Sequence, residues 1–174
     1  MKREIILLLE DLFEDSEAVY PYYRMQEAGY DVRIVSPKAG KEYTGKQGVK
    51  LTSDATAKEI KLSKVDALIV PGGYAPDKLR RYEEIVKLVK DLNDSCKIIA
   101  AICHGGWVLA EADILKGKEV TGVKAISTDL KNAGAKYVDK EAVVDGNIIT
   151  SRSPKDLPAF CRSIIELLRA YSGS

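Results

Sequence analysis
The chain has 174 residues, of which 45% are hydrophobic and 30% charged, and its 27 basic side chains are balanced by 26 acidic ones. That length suits one compact domain burying roughly 70% of its unfolded surface, and the composition excludes a disordered chain. Charge spread this evenly lacks the clustered basic face a nucleic-acid partner needs, and no apolar run approaches the ~20 residues of a membrane span.

The first apolar run, Glu4 to Leu9, reads as a buried parallel strand. It is too short for the apolar core of a secretion signal, so a cytoplasmic location is expected. An acidic loop, Glu10 to Asp15, follows. Val19, Tyr22, Tyr23 and Met25 then fit one face of a helix, with Pro21 in its early part and Gly29 at its end. Val32 to Val35 form a second strand. Residues 38 to 64 read as short strands or a hairpin followed by one helical turn. Ala67 to Val70 form a buried strand that stops at Pro71-Gly72-Gly73.

A helix around Glu83 to Leu92 carries Ile85, Leu88, Val89 and Leu92 on one stripe. Lys97 to Ile102 is the next strand, and a helix from Gly105 to Ala112 begins directly after it. Thr128 to Ala133 is a short helix ended by Gly134. Asp145-Gly146 joins two short apolar runs into a hairpin. Leu157, Phe160, Cys161, Ile164 and Leu168 make the last helix amphipathic. Strands alternating with helices predict one α/β domain over residues 1–174, with a mostly parallel sheet covered on both faces.

In such sheets functional groups gather in loops at the carboxyl ends of the strands. Cys103-His104-Gly105-Gly106 is the sharpest of these, because a cysteine between a buried strand and a helix has the geometry of a nucleophile elbow. The free N–H groups and positive potential of the helix start are expected to lower the thiol pKa. Cys161, on the apolar stripe of the last helix, reads as core, and Cys96 as a structural or incidental thiol. His104, the only histidine, reads either as acid–base partner of the cysteine or as a cap on the helix. In the acidic loop a protonated carboxyl could hydrogen-bond the thiolate. Spacing leaves Glu14 level with Asp11, Asp15 and Glu17, any of which can be an ordinary first-turn acid. Pro71-Gly72-Gly73 offers free N–H groups to an oxyanion. Three cysteines without CxxC spacing and one histidine exclude a disulfide framework and a clustered-histidine metal site.

Phe13-Glu14-Asp15, Tyr20-Pro21-Tyr22, Val70-Pro71-Gly72-Gly73, Ala100-Ala101-Ile102-Cys103-His104-Gly105, Asn132-Ala133-Gly134, Val144-Asp145-Gly146-Asn147 and Ser151-Arg152 together resemble the PfpI-type superfamily. That superfamily comprises intracellular cysteine peptidases, cofactor-free glyoxalases and deglycases. The resemblance implies a flavodoxin-like three-layer sandwich with Cys103 as nucleophile, Glu14 as its protonated partner and His104 as acid/base. It further implies the Gly73 and His104 N–H groups as oxyanion site, and Asp77 as the acid that reaches His104 of a neighbouring subunit.

The chain departs from the family pattern at three positions. Asp77 replaces a longer glutamate, Gly106 replaces a proline, and Val123 stands where a tyrosine is common. These changes touch the peptidase triad more than the cysteine–glutamate pair. The expected activity is therefore a glyoxalase/deglycase acting on methylglyoxal, glyoxal or their early protein adducts, with no cofactor and no metal. A peptidase with an intersubunit site and a redox-sensing or chaperone-like protein are the alternatives. The expected assembly is a homodimer or hexamer, with no nucleic-acid or membrane partner.

Overall fold
The computed structural model describes residues 4–172. The chain runs β1 (Glu4–Leu8), α1 (Asp15–Glu27), β2 (Asp31–Val35), β3 (Glu42–Thr44), β4 (Lys50–Thr52), β5 (Val65–Val70), α2 (Ala75–Leu79), α3 (Glu83–Asp94), β6 (Ile98–Ile102), α4 (Gly106–Glu111), β7 (Glu119–Val120), α5 (Ser127–Asn132), β8 (Lys136–Tyr137), β9 (Val143–Asp145), β10 (Ile148–Ser151) and α6 (Leu157–Ser172). Six strands form the central sheet in the order β2-β1-β5-β6-β10-β9. All neighbours are parallel except the β9–β10 hairpin at one edge.

Alternation along the buried strands divides the core in two. Ile6 and Leu8 of β1, Leu68 and Val70 of β5 and Ile99 and Ala101 of β6 face α3 and α4, meeting Ile85, Leu88, Val89, Leu92, Val108 and Leu109. Ile5, Leu7, Ile69, Ala100 and Ile102 face the other way, toward Ala18 and Met25 of α1 and Phe160, Cys161 and Ile164 of α6. Because both faces are covered, these strands carry continuous apolar runs, and a register slip of one residue would exchange the two cores. The result is the expected flavodoxin-like three-layer α/β sandwich. Among the described residues no helix is long and apolar enough to cross a membrane.

Two expectations change. The buried stripe of α1 is Glu17, Ala18, Pro21 and Met25, whereas Tyr23 is 61% exposed. Small side chains at 18 and 21 let α1 lie close to the sheet and α6, while Tyr20 and Tyr23 turn outward and Tyr22 packs half-buried at the edge of the core. Pro21 also lies in mid-helix rather than in the first turn, where it removes the ladder bond to the carbonyl of Glu17 without breaking the helix. Second, the short helix α2, marked only by Pro76 near its start, and the two-residue pair β7–β8 are too short for hydrophobic periodicity to mark.

Candidate active site
The strand ends of β1, β5 and β6 bring three loops together. The β1 loop is pinned to the turn after β5, since the Glu14 N–H donates to the Gly72 carbonyl at 3.1 Å and the Tyr74 N–H to the Leu12 carbonyl at 2.9 Å. Beyond Ile102 the chain turns abruptly: Cys103 has φ +59°, a left-handed conformation that costs an L-residue roughly 1–2 kcal/mol. One turn of 3₁₀ helix, Cys103–Gly105, then leads into α4. This is the strand–turn–helix elbow that the sequence predicts.

The turn allows close approach only because its neighbours lack side chains. A Cβ on Gly72 would stand 2.5 Å from Glu17 Oε2 and 2.7 Å from Cys103 Cβ. On Gly105 it would stand 2.5 Å from the Val70 carbonyl oxygen.

The acid brought to Cys103 is Glu17, and Glu14 lies elsewhere. Glu17 is completely buried; its Oε2 accepts a hydrogen bond from the Gly72 N–H at 2.7 Å, and its Oε1 has no partner with full hydrogen-bond geometry. Burial pushes its pKa up to about 7, and the negative charge of Glu14 acts in the same direction. The Gly72 N–H and the Cys103 thiol pull it down, but less. Glu14 turns its carboxylate outward to Lys46 at 2.8 Å. It serves as N-cap of α1 through its backbone, its carbonyl accepting from the Glu17 N–H at 3.0 Å. The readable signal for Glu17 is an acid on the buried side of an amphipathic helix, concealed because Val19, Tyr22 and Tyr23 suggest a different face.

The thiol is not acidified, contrary to the expectation from the helix start. Burial pushes Cys103 up to about 12, and the charges of Glu17 and Glu14 add to the effect. The N–H groups of His104 and Gly73 face the sulfur and oppose this shift without overcoming it. Cys103 Sγ lies 3.3 Å from His104 Nδ1. Burial holds the imidazole below its ordinary pKa, and the nearby charge of Lys46 contributes. The site therefore holds a neutral thiol between a carboxyl that titrates near neutrality and an imidazole that favours its neutral form.

Asp77 takes no part in this cluster within one chain. It lies on α2 and pairs with Arg80 at 2.8 Å and with Arg81. The hydrogen bond from Arg80 is the main reason its carboxyl stays below the usual range. The neighbour His104 does have is Trp107, with ring centroids 5.0 Å apart. Val123 donates its N–H to the Cys103 carbonyl at 3.4 Å, and a Cβ on Gly106 would press on Leu130 at 3.0 Å. Cys161 is buried in the α6 core and Cys96 is exposed.

Comparison with known proteins gives a consistent result. A sequence model of the DJ-1/PfpI family matches residues 3–167. Protein/nucleic acid deglycase 2 of Escherichia coli is 42% identical over 98% of this chain and 100% of its own. Deglycase PfpI of Pyrococcus furiosus is 40% identical over 95% of this chain and 99% of its own. Among solved structures, a two-domain protein from Anabaena variabilis with dj-1/thij/pfpi-like and ferritin-like domains superposes with a TM-score of 0.94 at 42% identity. That match covers 96% of this chain and 48% of the other, so the chain corresponds to about half of the two-domain molecule.

Proposed function
The chain belongs to the DJ-1/PfpI family, and from that premise we propose that it is a cysteine-dependent, cofactor-free glyoxalase/deglycase. Its substrates are methylglyoxal, glyoxal or their early protein adducts, and its product is a 2-hydroxy acid. The names of its deglycase relatives support the class of substrate. The observation that carries the reading is the buried Cys103–Glu17 pair, whose carboxyl changes charge near neutral pH. A group with that pKa can both accept a proton and return it during one turnover.

The sulfur of Cys103 adds to the aldehyde carbon, forming a C–S bond while the S–H proton passes to the Glu17 carboxylate or to His104 Nδ1. The carbonyl oxygen gains the negative charge beside the Gly73 and His104 N–H groups and then takes up a proton. Moving the hydrogen of this carbon, as a proton, to the adjacent carbonyl carbon oxidises the first centre and reduces the second. No outside oxidant is required, and the product of this step is a thioester of a 2-hydroxy acid. Water cleaves the C–S bond, the proton returns to sulfur, and lactate leaves from methylglyoxal or glycolate from glyoxal. With an early adduct, the thiol replaces the amine on the same carbon, and the amine leaves with a proton.

Lactate formation from methylglyoxal, assayed beside hydrolysis of a peptide substrate, tests this proposal. Wild type should form lactate and Cys103→Ser should not; full turnover by Cys103→Ser would end this mechanism. One contact, His104 Nδ1 against Cys103 Sγ, also suits a peptidase. Peptide cleavage without lactate formation would put that reading first.

A further inference from the structure
His104, in the 3₁₀ turn, and Trp107, in the first turn of α4, are three residues apart, so their side chains stand on one face of the junction. Their rings lie 5.0 Å apart, tilted by 57°. The indole is held from two further elements. Its Nε1–H donates to Asp129 on α5 at 2.8 Å, and the guanidinium of Arg80, just past α2, lies 4.8 Å from the ring centroid. Arg80 is in turn fixed by Asp77. The His104 ring meets Cys103 through Nδ1, and among the described residues no carboxylate meets its other nitrogen.

A catalytic imidazole needs something to fix its orientation, commonly a carboxylate on the nitrogen away from the nucleophile. We propose that Trp107, clamped by Asp129 and Arg80, is the positioning residue for His104, its indole holding the ring so that Nδ1 stays against the thiol. Within its own chain Asp77 enters the same assembly through Arg80. The inference rests on His104 being the acid–base neighbour of Cys103 and is independent of the substrate.

Because the chain has one histidine, the imidazole C2 proton gives a single signal in a proton NMR titration. Site-resolved mass spectrometry of iodoacetamide labelling reports Cys103 separately from the exposed Cys96. The charge acting on the ring is Lys46 from the β3–β4 hairpin, with Glu17 beyond the thiol and Arg80 and Asp129 on the far side of the indole; Lys46, Glu17 and Arg80 are kept in all the variants used, and only Asp129→Ala removes a charge. Trp107→Leu should raise the His104 midpoint toward the solvent value of about 6.5 by exposing the ring. It should also slow Cys103 labelling at pH 7 by roughly 10- to 100-fold, up to the lower limit of a full general-base contribution, because the base is misoriented and not removed. Trp107→Phe, which keeps an aromatic platform, should stay closer to wild type in both readings. Asp129→Ala, at an exposed helix position, releases the indole without disturbing the core and should move both readings in the direction of Trp107→Leu. The proposal is overturned if Trp107→Leu titrates and labels like wild type, or if Trp107→Phe behaves like Trp107→Leu. If Trp107→Leu does not fold, unchanged readings in Asp129→Ala overturn it equally.

Discussion

Glu17 and Gly72 are 55 residues apart in sequence, yet the Gly72 N–H donates to the buried Glu17 carboxylate at 2.7 Å, fixing the acid beside the nucleophile. This bond does not offset the loss of water, so the folded protein retains the Glu17 proton up to about pH 7. The folded-state pKa is raised above the unfolded one, so the native state binds more protons between the two values. Stability should therefore fall as pH rises from about 4.5 to above 7, by an amount on the order of 3 kcal/mol. Glu17→Gln removes this titration. It should be more stable than wild type at pH 8 in urea denaturation, with the difference vanishing near pH 4. Its turnover should fall by roughly 10²- to 10⁴-fold as the general base is lost.

Cys103 should show no thiolate in its resting state at physiological pH. With burial and two nearby carboxylates pushing the thiol up to about 12, the absorbance near 240 nm, taken as the difference between wild type and Cys103→Ser, should stay flat from pH 6 to 9. A step below pH 8 would mean that the backbone N–H groups dominate after all. Labelling of Cys103 should instead rise as the Glu17 carboxyl and the His104 imidazole shed their protons, continuing through pH 7, because proton removal to one of them accompanies attack.

Gly72→Ala is expected to abolish turnover. The added methyl would meet Glu17 Oε2 at 2.5 Å and Cys103 Cβ at 2.7 Å, so the acid and the nucleophile must separate. Gly73→Ala should cost stability as well, about 1–3 kcal/mol, because residue 73 has φ +82° and its Cβ would meet the Glu14 nitrogen at 2.5 Å. Thermal melting with lactate assays distinguishes the two variants.

Asp156 anchors the start of α6, just beyond the end of β10, whose Ser151 pairs with Ile102. It accepts from Arg152 Nε at 2.9 Å and from the Arg152 backbone N–H at 3.1 Å. Burial works against ionisation there, but these bonds hold its carboxyl below the ordinary value. The stabilisation is present above the unfolded pKa and lost as pH falls through the folded one. Asp156→Asn should cost about 1.5–3 kcal/mol at pH 7 and much less below pH 3, measured by urea denaturation at the two pH values.

The strands and the elbow were legible because their signals are local: apolar runs bounded by Pro71-Gly72-Gly73 or by Cys103-His104-Gly105-Gly106. The identity of the acid was not. Val19, Tyr22 and Tyr23 imitate an apolar stripe alongside Met25, and only the packed fold shows that the inward side carries Glu17, Ala18 and Pro21 with Met25. The direction of the thiol shift was equally hidden, since the potential of a helix start is read locally while burial depends on three loops from distant segments. The clamp on Trp107 joins residues 80, 107 and 129, a spacing with no sequence signature.

The left-handed backbone at Cys103 has a consequence for how the molecule would change over time. Glycine adopts that conformation without steric cost, so a lineage freed from selection for the reaction would relieve the backbone strain there by exchanging the CH2SH side chain for a hydrogen. Inert descendants should accumulate glycine at 103, and a designer seeking a rugged, non-reactive scaffold could begin from Cys103→Gly.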